Sequence, residues 1–154
     1  MLELIDKPYD VVSEKIDYMM GHEPGIKEIF YLKRNRLFSS QLAALIRVDD
    51  IDVGFLNIVD EGLRNMLFID QGIIERYRGR GYGKEAIISL INSGMFDEYL
   101  IGETKKNNIL ANNSASKIAP LVHQNSDRNY YLFNNDLNQF LNSNEYKVLV
   151  KRFK

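Results

Sequence analysis

The sequence predicts an α/β domain with a mixed, mostly antiparallel sheet flanked by helices, and three observations carry that expectation. Short apolar runs of strand length alternate with segments of helical period along the whole chain. Three early strand runs are joined by tight polar turns, Asp49-Asp50 and Asp60-Glu61-Gly62, which predicts an antiparallel meander. A later strand then feeds a glycine-rich turn and a helix before the next strand begins. A crossover of that kind makes neighbouring strands parallel.

Taken in order, Leu2 to Ile5 suits a short first strand. After Pro8, the spacing of Tyr9, Val12, Ile16, Met19 and Met20 predicts an amphipathic helix, broken at Gly21-His22-Glu23-Pro24-Gly25. Residues 26–36 read as a second helix with Ile26, Ile29, Phe30 and Lys33 on one side. The strands 41–48, 51–59 and 66–74 form the meander, followed by a helix over 83–93 and a strand over 99–105. A helix is expected over 113–124, strands over 130–133 and 146–153, and a short helix over 136–141 between them. The count comes to about six or seven strands.

Composition bounds the function. The chain has 154 residues, 45% of them hydrophobic, which is enough for one core and predicts a single domain spanning 1–154. The net charge of −1 gives no bulk attraction to nucleic acid or to an anionic membrane, and neither is expected as a partner. There are no cysteines, which excludes disulfides, thiolate–metal sites and a cysteine nucleophile, and no metal is expected. Residues 1–10 carry Glu3, Asp6, Lys7 and Asp10 and no long apolar run, unlike a signal peptide or a membrane span, so a cytoplasmic protein is expected.

The chemistry concentrates in Ile73 to Ile91, which reads I-I-E-R-Y-R-G-R-G-Y-G-K-E-A-I-I-S-L-I. A strand enters an arginine- and glycine-rich turn that opens directly into a helix. The first N–H groups of a helix have no partner within it, and the positive end of the dipole lies there, so the start of a helix is an anion site. Gly79, Gly81 and Gly83 let an anion approach the backbone, and Arg78, Arg80 and Lys84 surround it with positive charge. The pattern suits a pyrophosphate. The dinucleotide fingerprint G-x-G-x-x-G does not fit, because the third glycine comes one position early. The nucleotide pattern G-x-x-x-x-G-K-[ST] fails because Glu85 follows Gly83-Lys84.

R-x-x-G-x-G does fit, as Arg78, Gly81 and Gly83. It resembles the acyl-coenzyme A signature of the GCN5-related N-acetyltransferases, where the turn lies between the fourth strand and the following helix. Two further segments are similar to that family: Ile51-Asp52-Val53-Gly54-Phe55-Leu56, like its third strand, and Asn113-Ser114-Ala115-Ser116, like the N-x-A-S segment that opens the helix after the fifth strand. The resemblance implies a sheet whose fourth and fifth strands part around the pantetheine of acetyl-CoA. It implies that the backbone of Gln71, Gly72 and Ile73 pairs with the pantetheine amides. The pyrophosphate falls to Arg78, Gly79, Arg80, Gly81, Tyr82, Gly83 and Lys84, with Asn113 and Ser116 also near the coenzyme. An interior glycine at 72 independently marks a bulge or a close approach of the backbone.

The implied activity is transfer of an acetyl group from acetyl-CoA to a primary amine of a small molecule, protein or peptide in one ternary complex. Many family members place a glutamate eleven residues before the glycine motif, where this chain has Leu67. The base candidates are therefore Asp70, which strand alternation turns to the opposite face unless a bulge intervenes, and Glu103 on the fifth strand. Many members carry a tyrosine seven residues after the helix-opening asparagine; counted from Asn113, this chain has Pro120. Tyr131, of the pair Tyr130-Tyr131, is the substitute acid. His22 and His123 read as surface histidines, and Glu14, Asp17 and Glu23 as a solvated acidic face. The missing glutamate and tyrosine leave a second reading open, an inactive acyl-CoA-binding module of the same fold. A third, in which the arginine–glycine turn binds nucleotide or RNA, runs against the net charge. The acceptor is not legible, and monomer and homodimer are both compatible with the sequence.

Overall fold

The computed structural model describes residues 2–6 and 40–154, with side chains described from 44 onward. The two helices expected over 8–20 and 26–36, His22, and the acidic face at 14, 17 and 23 lie outside the described residues. A seven-stranded sheet runs in the order β1-β2-β3-β4-β5-β7-β6. Its strands are β1 (Leu2–Asp6), β2 (Ser40–Val48), β3 (Ile51–Val59), β4 (Met66–Ile73), β5 (Tyr99–Lys105), β6 (Leu121–Gln124) and β7 (Arg128–Leu132). Among the described residues the α-helices are α1 (Tyr82–Asn92), α2 (Ile109–Ser116), α3 (Leu137–Leu141) and α4 (Asn144–Arg152). This is the mixed α/β architecture the sequence predicts, with one parallel pair, β4–β5, and antiparallel β1–β2, β2–β3, β5–β7 and β6–β7.

The chain divides into two compact units. The first comprises residues 1–59 and 70–93. Its meander turns at Asp49 and Asp50, both left-handed (φ 48° and 65°), the conformation that matches the twist of a two-residue hairpin. Ala44, Leu45, Ile46, Val53, Phe55, Leu56, Ile58 and Val59 are buried, so β2 and β3 supply much of this core. α1 packs on β1 and β3 and buries Ala86, Ile87 and Leu90, the i, i+1, i+4 spacing of one helix face. A Cβ on Gly54 would stand 2.2 Å from the Gly72 carbonyl oxygen, and one on Gly72 would stand 2.6 Å from the Phe55 ring. The interior glycine at 72 thus marks a close approach, of β4 to β3.

The second unit comprises residues 60–69 and 94–154. The β4–β5 ladder pairs Met66 with Tyr99 through Ile69 with Gly102 and stops there, while β5 runs on to Lys105 and pairs on its other edge with β7 from Ile101 to Lys105. Met66, Phe68, Tyr99, Ile101, Val122, Tyr130, Leu132, Phe140 and Leu149 form its core, joined by Tyr146 and Phe153. The rings meet edge to face at Phe68–Phe153 and Tyr99–Phe140, with centroids 5.8 and 4.9 Å apart.

Two elements differ from expectation. The helix expected over 113–124 occupies Ile109–Ser116, because Asn108 caps it by accepting a bond from the Ala111 N–H (3.2 Å). Pro120, which has no N–H to donate, follows its last turn, and the end of the expected helix, Leu121–Gln124, is β6. The strand expected over 146–153 is α4. Ser143 caps it through the Tyr146 N–H (3.2 Å), and Tyr146, Leu149 and Phe153 reach the core at helical spacing. The strand expected over 130–133 begins earlier, at Arg128, whereas the short helix expected over 136–141 is present as α3 with Asp136 as its cap.

Gly54→Ala should destabilise the protein by about 2 kcal/mol, since the new methyl meets a backbone oxygen that cannot rotate away. Gly62→Ala, at φ +78° with open space around it, should cost about 1 kcal/mol through backbone strain alone. Thermal melts of the two variants check the order.

Candidate active site

The glycine turn belongs to the first unit. Where β4 ends, the Ile74 N–H bonds to the Val53 carbonyl (2.8 Å), and a short 3₁₀ turn over Glu75–Tyr77 follows. Arg78 folds back, its Nε donating to the Ile73 carbonyl (2.9 Å). The guanidinium groups of Arg76 and Arg80 lie over the Tyr77 ring, 5.0 and 5.6 Å from its centre. Gly79 and Gly81 are left-handed (φ 78° and 80°), a conformation that disfavours every side chain bearing a Cβ. Gly81 is the cap of α1 and has no side chain to accept from the N–H groups behind it, which are left for an external acceptor.

Gln71 completes this arrangement. Its side-chain amide packs against Gly83, where an added Cβ would come within 2.9 Å of both Nε2 and Oε1. Its Oε1 is buried without a hydrogen-bond partner among the described residues. Uncapped helix amides and exposed Arg78, Arg80 and Lys84 fit a phosphorylated ligand, whereas the buried Gln71 Oε1 calls for a donor. Tyr82 is the first residue of the helix and is half-buried. Gly72 is buried, and Ile73 is half-buried at the last position of β4. Asp70, in the same unit, is 3% exposed.

The other candidates sit in the second unit. Glu103 is paired across β5–β7 with Tyr130, and its side chain is only 4% exposed. Its Oε1 accepts from Arg128 Nη1 at 2.9 Å, so this carboxylate is held by a cation. Burial, and then the Glu103 charge, push the Tyr130 phenol well above its ordinary range; with the ring fully buried between His123 and Phe153, it is a core residue. His123 is not a free surface imidazole. Its Nε2 donates to the Phe153 carbonyl (2.7 Å), which fixes the protonated ring nitrogen.

Tyr131 is buried against Ala115 and Ala119, and burial raises its pKa. Its hydroxyl donates to Asn112 Oδ1 (2.9 Å). The same oxygen accepts from Thr104 Oγ1 and from Asn129 Nδ2 (2.9 Å), while Asn112 Nδ2 donates to the carbonyls of Lys105 and Asn108, both at 2.9 Å. Asn112 thus ties α2, β5 and β7 together, a role that the run of asparagines conceals in the sequence. Asn113 is exposed within α2, and Ser116, at its end, donates to the Asn113 carbonyl (3.1 Å). The helix-opening asparagine is therefore Asn108 and not Asn113. Counting seven residues from Asn108 gives Ala115, so no tyrosine stands there in either frame. Leu67 is buried in β4.

No protein-family model matches this sequence, and no curated protein matches it. Solved structures do match in fold. The acetyl transferase from Salmonella typhimurium that modifies the N-terminal serine of ribosomal protein L7/L12 superposes with TM-score 0.62 at 14% identity, covering 88% of this chain and 96% of that one. The Campylobacter jejuni N-acetyltransferase PseH, in complex with acetyl coenzyme A, matches with TM-score 0.58 at 15% identity over 88% of this chain and 100% of that one. The microcin C7 self-immunity acetyltransferase MccE, in complex with acetyl-CoA and AMP, gives 0.56 at 14% over 85% and 91%. The chain has the fold of these acetyltransferases.

Two predictions follow from the ion pair and the phenol. Arg128→Met should destabilise by roughly 2 kcal/mol, because it strands a buried carboxylate; a fully buried pair would cost more, but a third of the Arg128 side chain faces solvent. Glu103→Gln keeps a neutral acceptor and should cost less, which denaturant titration will separate. Above pH of about 10 the unfolded chain loses phenolic protons that folded Tyr130 retains, so stability should fall as pH rises. Tyr130→Phe should flatten that alkaline decline.

Proposed function

We propose that this protein is an acetyl-CoA-dependent N-acetyltransferase that transfers the acetyl group directly to a primary amine of a small molecule, protein or peptide. The start of α1 carries this reading. Two left-handed glycines, an uncapped helix and three exposed cations, Arg78, Arg80 and Lys84, form a cradle for a diphosphate. The backbone of Gln71, Gly72 and Ile73 leads into it and would pair with the pantetheine amides, while a β4 N–H polarises the thioester carbonyl. The neutral amine attacks that carbonyl, the C–N bond forms and the C–S bond breaks. The amine proton leaves to Asp70 or Glu103, directly or through water, and the thiolate takes up a proton, for which Tyr131 is the candidate donor. With no cysteine in the chain, an acyl-cysteine intermediate has no place in the scheme. Asn113 and Ser116 belong to the coenzyme set in this reading, and Asn108 joins them as the residue that opens α2.

A second reading, an acyl-CoA-binding module without transfer, is favoured by three observations. Leu67 stands where the resemblance expects a base, Glu103 is neutralised by Arg128, and the Tyr131 proton is committed to Asn112. The two readings share the coenzyme and differ in turnover.

Calorimetric titration with acetyl-CoA, NAD and ATP tests the shared premise. Acetyl-CoA should bind selectively. Gly81→Asp should weaken it by at least about tenfold, or 1.4 kcal/mol, by placing a carboxylate beside the diphosphate. Lys84→Glu, which leaves the glycine backbone untouched, should weaken it as well. Unaltered affinity in both would refute the diphosphate assignment, and binding without turnover across an amine panel would select the second reading.

A further inference from the structure

The second unit holds a cleft of about 440 Å³ lined by Lys105, Lys106, Asn107, Ser126, Asp127 and Arg128. Three of these are cations and one is a carboxylate, so the lining is positive in a protein whose net charge is −1. The frame is rigid. Asn125 Oδ1 accepts from the Asp127 and Arg128 N–H groups (2.9 and 2.8 Å), which sets the β6–β7 turn. The Lys106 N–H bonds to the Asp127 carbonyl (2.8 Å), which ties that turn to the end of β5. Glu103 fixes the Arg128 guanidinium through Nη1.

The sheet register supplies an independent argument. Lys105 stands directly opposite Arg128 in the β5–β7 ladder. Like charges directly across a strand pair repel and destabilise the sheet. Glu103 neutralises one cation, and Lys105 and Lys106 remain beside it with Asp127 as the lining's one carboxylate. A bound anion would relieve this repulsion.

We propose that this cleft is an anion subsite that takes a phosphate or carboxylate group carried by the acceptor. Arg128 in its lining is bonded to Glu103, a candidate to receive the proton of the acceptor amine, so anion and amine would be recognised next to each other. The acceptor class is then an amine bearing a nearby anionic group. The anion site stands on its own geometry; its assignment to the acceptor rests on the acetyltransferase reading.

The test uses the full chain and inorganic phosphate as the probe, followed by amide shifts in ¹H–¹⁵N spectra with sodium chloride at matched ionic strength as the control. Saturable shifts are expected at Lys106, Asn107 and Asp127. The double substitution Lys105→Ala with Lys106→Ala, both at exposed positions, should weaken phosphate binding about tenfold. Absence of saturable shifts, or equal affinity in the double variant, overturns the subsite. Acetyl-CoA and its 3′-dephospho form, titrated against both proteins, decide the source of the anion. The double variant should bind both as the original chain does. A loss confined to the 3′-phosphorylated coenzyme overturns the acceptor assignment and gives the cleft to the coenzyme. Failure of the original chain to bind either coenzyme would refute the acetyltransferase reading, while the phosphate titration still reports on the subsite.

Discussion

The close approach of β3 to β4 at Gly54 and Gly72 governs the first unit. Neither residue can carry a Cβ without displacing a backbone oxygen or the Phe55 ring. That contact, with the bond from Ile74 to Val53 just beyond it, fixes where β4 stops. Everything after it is launched from that point: Arg78 folds back on Ile73, the two left-handed glycines reverse the chain, and α1 begins with its amides uncapped. The shape of the turn proposed to hold a diphosphate is thus a consequence of strand packing several residues away, and its cations decorate a shape already set by the backbone.

In the second unit the corresponding organiser is polar. Asn112 fills both ends of its amide, taking three donors on Oδ1 and giving two bonds from Nδ2. This half-buried polar knot joins α2 to both β5 and β7 and so favours one arrangement of the three. It also removes the Tyr131 hydroxyl proton from free use. The Glu103–Arg128 pair likewise satisfies a buried carboxylate, so under the proposed transfer reaction structural satisfaction and proton transfer would compete for the same side chains.

Much of the architecture was legible in the sequence. The meander announced itself through paired acidic turns, and the glycine–arginine turn through spacing that no nucleotide fingerprint shares. Two elements were not legible, for different reasons. Asn107, Asn108, Asn112 and Asn113 are chemically equivalent helix starters within seven residues, and only tertiary contacts choose Asn108 as the cap and Asn112 as the knot. In residues 146–153 the β-branched Val148 and Val150 favour a strand locally, yet the burial of Tyr146, Leu149 and Phe153 on one aromatic cluster makes a helix. The roles of Arg128 and Lys105 depend on cross-strand register, which a sequence does not carry on its face.

The contact between Gln71 and Gly83 has an evolutionary consequence. The side chain at 71 fills the volume that any residue larger than glycine at 83 would require. A larger residue at 83 would have to push the end of that flexible amide aside, and it meets no obstacle there once 71 has shortened. The two positions are thus coupled, so that a substitution at one changes the cost of a substitution at the other.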